Sequence, residues 1–71
     1  GEGAVFDRLL AAQATLARGP QGADKPMSLN AATLAKVAQL RSADMTVMAR
    51  LIGDKQADRF GDAFLEILRD G

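Results

Sequence analysis

Cysteine, histidine, tryptophan and tyrosine are all missing from this 71-residue chain. Without cysteine there is no disulfide, no thiolate nucleophile and no cysteine–zinc site. Without histidine the commonest general base and the commonest transition-metal ligand are gone as well. The only aromatics are three phenylalanines, Phe6, Phe60 and Phe64. All three fall in apolar stripes, so no aromatic platform for single-stranded nucleic acid is expected. Neither sign of charge is in excess, since nine Lys and Arg balance nine Asp and Glu. Such neutrality gives no global attraction to phosphate backbones or anionic lipid, so nucleic acid and membrane are not the expected partners. No run approaches the ~18 apolar residues of a transmembrane helix. No signal peptide is visible and a cytoplasmic, bacterial setting is expected. Phosphate-loop, dinucleotide and serine-nucleophile motifs are absent. The chain opens on Gly1-Glu2-Gly3, which reads as the edge of an excised or tagged segment.

A chain of this length makes one domain with a modest core and a net stability of roughly 3–5 kcal/mol. Small domains often supplement such a core with disulfides, a metal or a partner surface. With no cysteine or histidine, a partner is the supplement to look for: another protein or a second copy of the chain.

Three periodic segments are present and none alternates with period two, so the fold class is all-α. The first covers residues 4–18. Val5, Phe6, Leu9, Leu10, Leu16 and Ala17 recur at three- and four-residue spacings, with Gln13 the one polar side chain in the stripe. Gly19 and Pro20 stop it. Residues 19–27, GPQGADKPM, form a mobile linker that is long for a helix hairpin. The second segment covers residues 29–52, with Ser28 or Asn30 as cap and Gly53 as terminator. Read as one helix, its apolar side chains span an arc of roughly 180°. The third, 55–70, places Ala57, Phe60, Gly61, Phe64, Leu65, Ile67 and Leu68 on one face. Asp58, Arg59, Asp62, Glu66, Arg69 and Asp70 take the other. Gly61 mid-helix costs up to about 1 kcal/mol against alanine, which a close helix approach would offset. The expected architecture is a three-helix bundle, or four helices if the central segment breaks near Ser42.

Arg41 and Asp44 fall inside the apolar arc, an awkward place for two ions because desolvation is seldom recovered in full. Either Ser42 caps a new helix, or that part of the arc is exposed to a polar partner. A break would permit a helix-turn-helix over about Val37–Ile52, with Ala38, Ser42, Met48 and Leu51 in register. Against a DNA-binding regulator of that kind, Thr46 and Arg50 are its only polar base-reading side chains, and flanking cations are sparse. Met45 and Met48 lie with Leu34 and Ile52 along one side of the segment. Methionine suits both core gaps and adaptable binding surfaces. Asp58, Asp62 and Glu66 form a ladder at four-residue spacing that suits a solvated face better than a metal or acid–base site.

Taken together these features describe a non-enzymatic protein-association module: a docking, adaptor or oligomerisation domain working by helix packing. The expected contact residues are Leu34, Met45, Met48 and Ile52, with Arg41 and Asp44 setting orientation. Leu9, Leu10, Phe60, Phe64 and Leu68 are expected to pack internally. No catalytic residue, cofactor, metal or small-molecule substrate is expected.

Overall fold

Two short polar side chains decide where the middle helices begin. The structure, a computed structural model, describes residues 1–70. Its four helices are α1 (Glu2–Leu16), α2 (Ala31–Ala38), α3 (Met45–Ile52) and α4 (Asp54–Asp70). Asn30 caps α2, its side-chain oxygen accepting from the Thr33 N–H at 2.8 Å. Asp44 caps α3, accepting from the N–H groups of Thr46 at 2.7 Å and Val47 at 3.3 Å. Each cap satisfies backbone donors that have no partner inside the helix.

The central segment is therefore two helices, and the single long helix of the three-helix version is excluded. The reason is local. After Ala38 the N–H groups of Gln39 and Leu40 turn back to the carbonyls of Lys36 and Val37 at 3.2 and 3.1 Å. The backbone is then extended at Asp44 (φ −121°, ψ 127°), and its carboxylate starts the next helix. Ser42 is exposed, and the cap expected there is made two residues later by Asp44. Leu40 and Ala43 pack against the core and hold the connection down.

At the other joints glycine supplies a backbone that L-residues avoid. Gly53 ends α3 at φ +88°, donating to the Ala49 carbonyl at 2.8 Å. Gly19 sits at φ +82° just beyond α1, and a Cβ there would collide with the Asp24 carboxylate. Helix α1 starts and stops two residues earlier than its apolar stripe implies, at Glu2 and Leu16.

The core is shared by all four helices. Leu9 comes from α1, Leu34 and Val37 from α2, Met48 and Ile52 from α3, and Ala57, Phe60, Phe64, Leu65 and Ile67 from α4. Phe60 and Phe64 stack one turn apart, with ring centroids 5.5 Å apart and planes inclined by 12°. Each large apolar side chain fully buried there stabilises the fold by about 1.5–3 kcal/mol. Gly61 is buried too, but what approaches it is the end of the Met45 side chain, not a helix backbone. A Cβ at Gly61 would meet Met45 Cε at 2.8 Å and Sδ at 2.9 Å.

The connection between α1 and α2, expected to be a mobile linker, carries several fastenings. The Asp24 N–H donates to the Arg18 carbonyl and the Met27 N–H to the Ala17 carbonyl, both at 2.9 Å. Gln13, the polar exception in the first stripe, is buried and accepts from the Leu29 N–H at 2.7 Å. Arg59 reaches across from α4, donating to the carbonyls of Ala17 at 2.6 Å and Lys25 at 3.0 Å. Its side chain is only 12% exposed, with Asp24 3.8 Å away. These contacts tie both ends of the connection to the bundle.

Candidate functional site

The six expected contact residues separate into two groups. Leu34, Met48 and Ile52 belong to the core, and Met48 has no exposed surface at all (0%). A partner cannot reach them without opening the bundle, so they are corrected from contact surface to internal packing. The wide arc that suggested otherwise came from continuing one helical register through residues 39–44. With the break in place, Leu34 and Val37 of α2 and Met48 and Ile52 of α3 all turn into a single core. Leu10 moves the opposite way: expected inside, it is 46% exposed.

Arg41, Asp44 and Met45 remain at the surface. Asp44 gives its Oδ1 to the α3 cap. Among the described residues Arg41 and Asp44 form no ion pair, and the only two salt bridges are Arg8–Asp70 and Arg59–Asp24. The buried-ion difficulty therefore does not arise, because neither group is desolvated.

Charge is divided unevenly over this surface. From α2 through α3 there are three exposed cations, Lys36, Arg41 and Arg50, against the single acid Asp44. Along α4 the acids Asp54, Asp58, Asp62, Glu66 and Asp70 outnumber Lys55, Arg59 and Arg69. Arg59 is further withdrawn, since its guanidinium serves the backbone carbonyls of the α1–α2 connection. Zero net charge thus conceals a cationic stretch over α2 and α3 and an acidic helix α4.

Between α3 and α4 lies a groove of about 340 Å³ lined by Met45, Ala49, Asp54, Ala57, Asp58 and Asp62. Alanines at 49 and 57 give it depth, and the three aspartates, at four-residue spacing on one helix, form one acidic edge. Among the described residues none of the three is in a salt bridge. No group of three or more acidic side chains among the described residues is arranged to hold a metal ion.

The alternative helix-turn-helix over about Val37–Ile52 is matched only in outline. Two helices do follow one another and touch. Their connection, residues 39–44, is longer than the three- or four-residue turn of that motif. Helix α3 has Met48 and Ile52 committed to the core, leaving Thr46 and Arg50 as its exposed polar side chains.

Two functional-looking features were missed in the sequence. Its spacing puts Arg59 on the solvated face of α4, yet its partners are main-chain carbonyls distant in sequence, which leave no signature in side-chain type. The groove depends on small residues of two helices facing each other, and neither helix shows it alone. No described helix is long and apolar enough to cross a membrane.

No significant match exists among curated proteins or among solved structures. The HRDC domain profile matches residues 2–68, close to the whole of the four-helix unit. HRDC domains are small, non-catalytic helical domains often found in nucleic-acid-associated proteins. On that match, with the four-helix architecture in agreement, the chain belongs to the HRDC domain family.

Proposed function

We propose that this chain is an accessory recognition domain that helps hold a nucleic-acid-associated polypeptide on its substrate. It does so by contacting the nucleic-acid backbone through Lys36, Arg41 and Arg50. The observation carrying this reading is the division of charge. The stretch from α2 to α3 bears three exposed cations, while the one acid within it is occupied in a helix cap. Family membership supplies the setting, and the charge division supplies the face.

The contact is electrostatic and carries little sequence information. Phe60 and Phe64 are buried in the core, and stacking needs exposed rings. Base reading in a major groove needs several polar side chains projecting from one helix, and α3 exposes Thr46 and Arg50. What remains is phosphate contact, which positions a protein without specifying sequence. Oligomerisation through Leu34, Met48 and Ile52 is not part of this reading, because those side chains already pack against each other. Protein docking is supported separately by the α3–α4 groove.

The test is fluorescence anisotropy of a labelled single-stranded oligonucleotide titrated with the chain between about 50 and 200 mM salt, where counterion release dominates affinity. Three phosphate contacts predict a log–log salt slope of about −2, reduced by about 0.7 for each of Lys36→Ala, Arg41→Ala and Arg50→Ala. No binding at the lowest salt, or binding that the triple variant retains, would overturn the proposal.

A further inference from the structure

The α3–α4 groove is built from different residues than the cationic stretch and calls for a different ligand. We infer that it is a docking site for a basic, amphipathic helical segment of a partner protein. Three features of the groove define that occupant. Its apolar lining is made by Ala49, Ala57 and Met45. Met45 is 36% exposed, one of two large apolar side chains in the chain left so open. It rests over Gly61 with no Cβ beneath it, so its flexible, polarisable end can shift to fit an incoming side chain.

The edge of the groove is acidic and uncompensated. Asp54, Asp58 and Asp62 stand one turn apart along α4, about 6 Å per step. None is in a salt bridge among the described residues. A helix lying along the groove with Lys or Arg at four-residue spacing would place a cation opposite each carboxylate. The apolar residue between those cations would enter over Ala49 and Ala57. Charge complementarity of this kind gives specificity and speeds encounter, and helix-in-groove packing supplies the apolar contact.

A nucleic acid is a poor occupant, since three carboxylates would face its phosphates. A second copy of the chain is poor as well. The exposed cations Lys36, Arg41 and Arg50 lie on two short helices and the connection between them, without the long regular spacing the acidic edge asks for.

The experiment uses a synthetic 15-residue helical peptide with Lys at four-residue intervals flanking a Leu stripe, followed by anisotropy and by amide chemical shifts of the intact chain. Binding is expected to shift Ala49, Ala57, Asp58 and Asp62. The double reversal Asp58→Lys, Asp62→Lys is expected to weaken it by about tenfold or more, because it sets like charges against the peptide's lysines. Filling the groove with Ala49→Leu is expected to weaken it while leaving the charge unchanged. All three positions lie at the surface or its edge, and unchanged helix content by circular dichroism shows that each variant still folds. Arg41→Glu, in the cationic stretch, is expected to have no such effect, which separates this proposal from the nucleic-acid reading. The inference is overturned if the reversed variant binds equally well. It is also overturned if a peptide of equal charge without the Leu stripe binds as tightly, or if the groove resonances shift with protein concentration alone.

Discussion

Met48 shows how one residue changes meaning once its neighbours are known. In the sequence it stands in a methionine-rich stripe that suits a partner surface, and in the fold it has no exposed area. Placing a carboxylate there strands an unpaired charge in the core, among the costliest single changes. Met48→Asp is therefore expected to unfold the chain at 25 °C, seen as loss of the far-ultraviolet helix signal. A folded variant of wild-type stability would contradict the assignment of Met48 to the core. Arg59 carries the opposite lesson, a charged residue whose work is internal. Replacing it with methionine keeps the length of the stem but removes two hydrogen bonds to carbonyls of the α1–α2 connection. Charge-assisted hydrogen bonds contribute about 1.5–3 kcal/mol each when their partners are left bare. The Lys25 carbonyl is exposed and water replaces its bond, so only the part-buried bond to Ala17 is left bare. Arg59→Met is expected to destabilise by about 2 kcal/mol in urea unfolding, with faster amide exchange at Met27 and Asp24. Exchange unaltered in the connection would show that Arg59 does not fasten it.

At the scale of elements, the decisive feature is the interruption at residues 39–44. Asp44 makes the α3 cap with one carboxylate oxygen shared between two N–H groups, whereas Ser42 caps nothing. Loss of a capping side chain costs about 1 kcal/mol, within a range of 0.5–2. Asp44→Ala is accordingly expected to lower stability by about that amount and Ser42→Ala by almost none, both read from urea midpoints. Equal effects would move the start of α3 back to Ser42. Much of this organisation is legible in the residues. Gly19 with Pro20, Asn30 and Gly53 mark ends by local chemistry, and each lies where the fold uses it. The apolar face of α4 is legible as well, because seventeen residues of regular spacing admit a single register. The central segment was ambiguous because residues on both sides of the interruption are apolar at helical spacing. A hexapeptide connection between them shifts register without disturbing composition. Read in one register, Leu34, Met48 and Ile52 fall on a partner face, and the adaptability of methionine supports the same reading. The charge division was open to counting along the chain, but its meaning depended on learning that Asp44 is a cap and that Arg59 turns inward.

For the whole molecule, a small core has been closed without a disulfide by bringing side chains of four helices together, Phe60, Phe64 and Met48 among them. Leu10 and Met45 are the large apolar side chains left exposed, which is less than a stable homodimer interface requires. The chain alone is expected to be a monomer by light scattering at micromolar concentration, and a concentration-independent dimer would require a contact surface that the exposed residues do not offer. Its outside then has two characters, cationic along α2 and α3 and acidic along α4. The measurement that tests this account most directly is amide chemical-shift mapping of the chain against a short single-stranded oligonucleotide at low salt. Shifts are expected at and around Lys36, Arg41 and Arg50, abolished by added salt, with Asp58 and Asp62 silent. Shifts centred on α4, or none anywhere on α2 and α3, would contradict it.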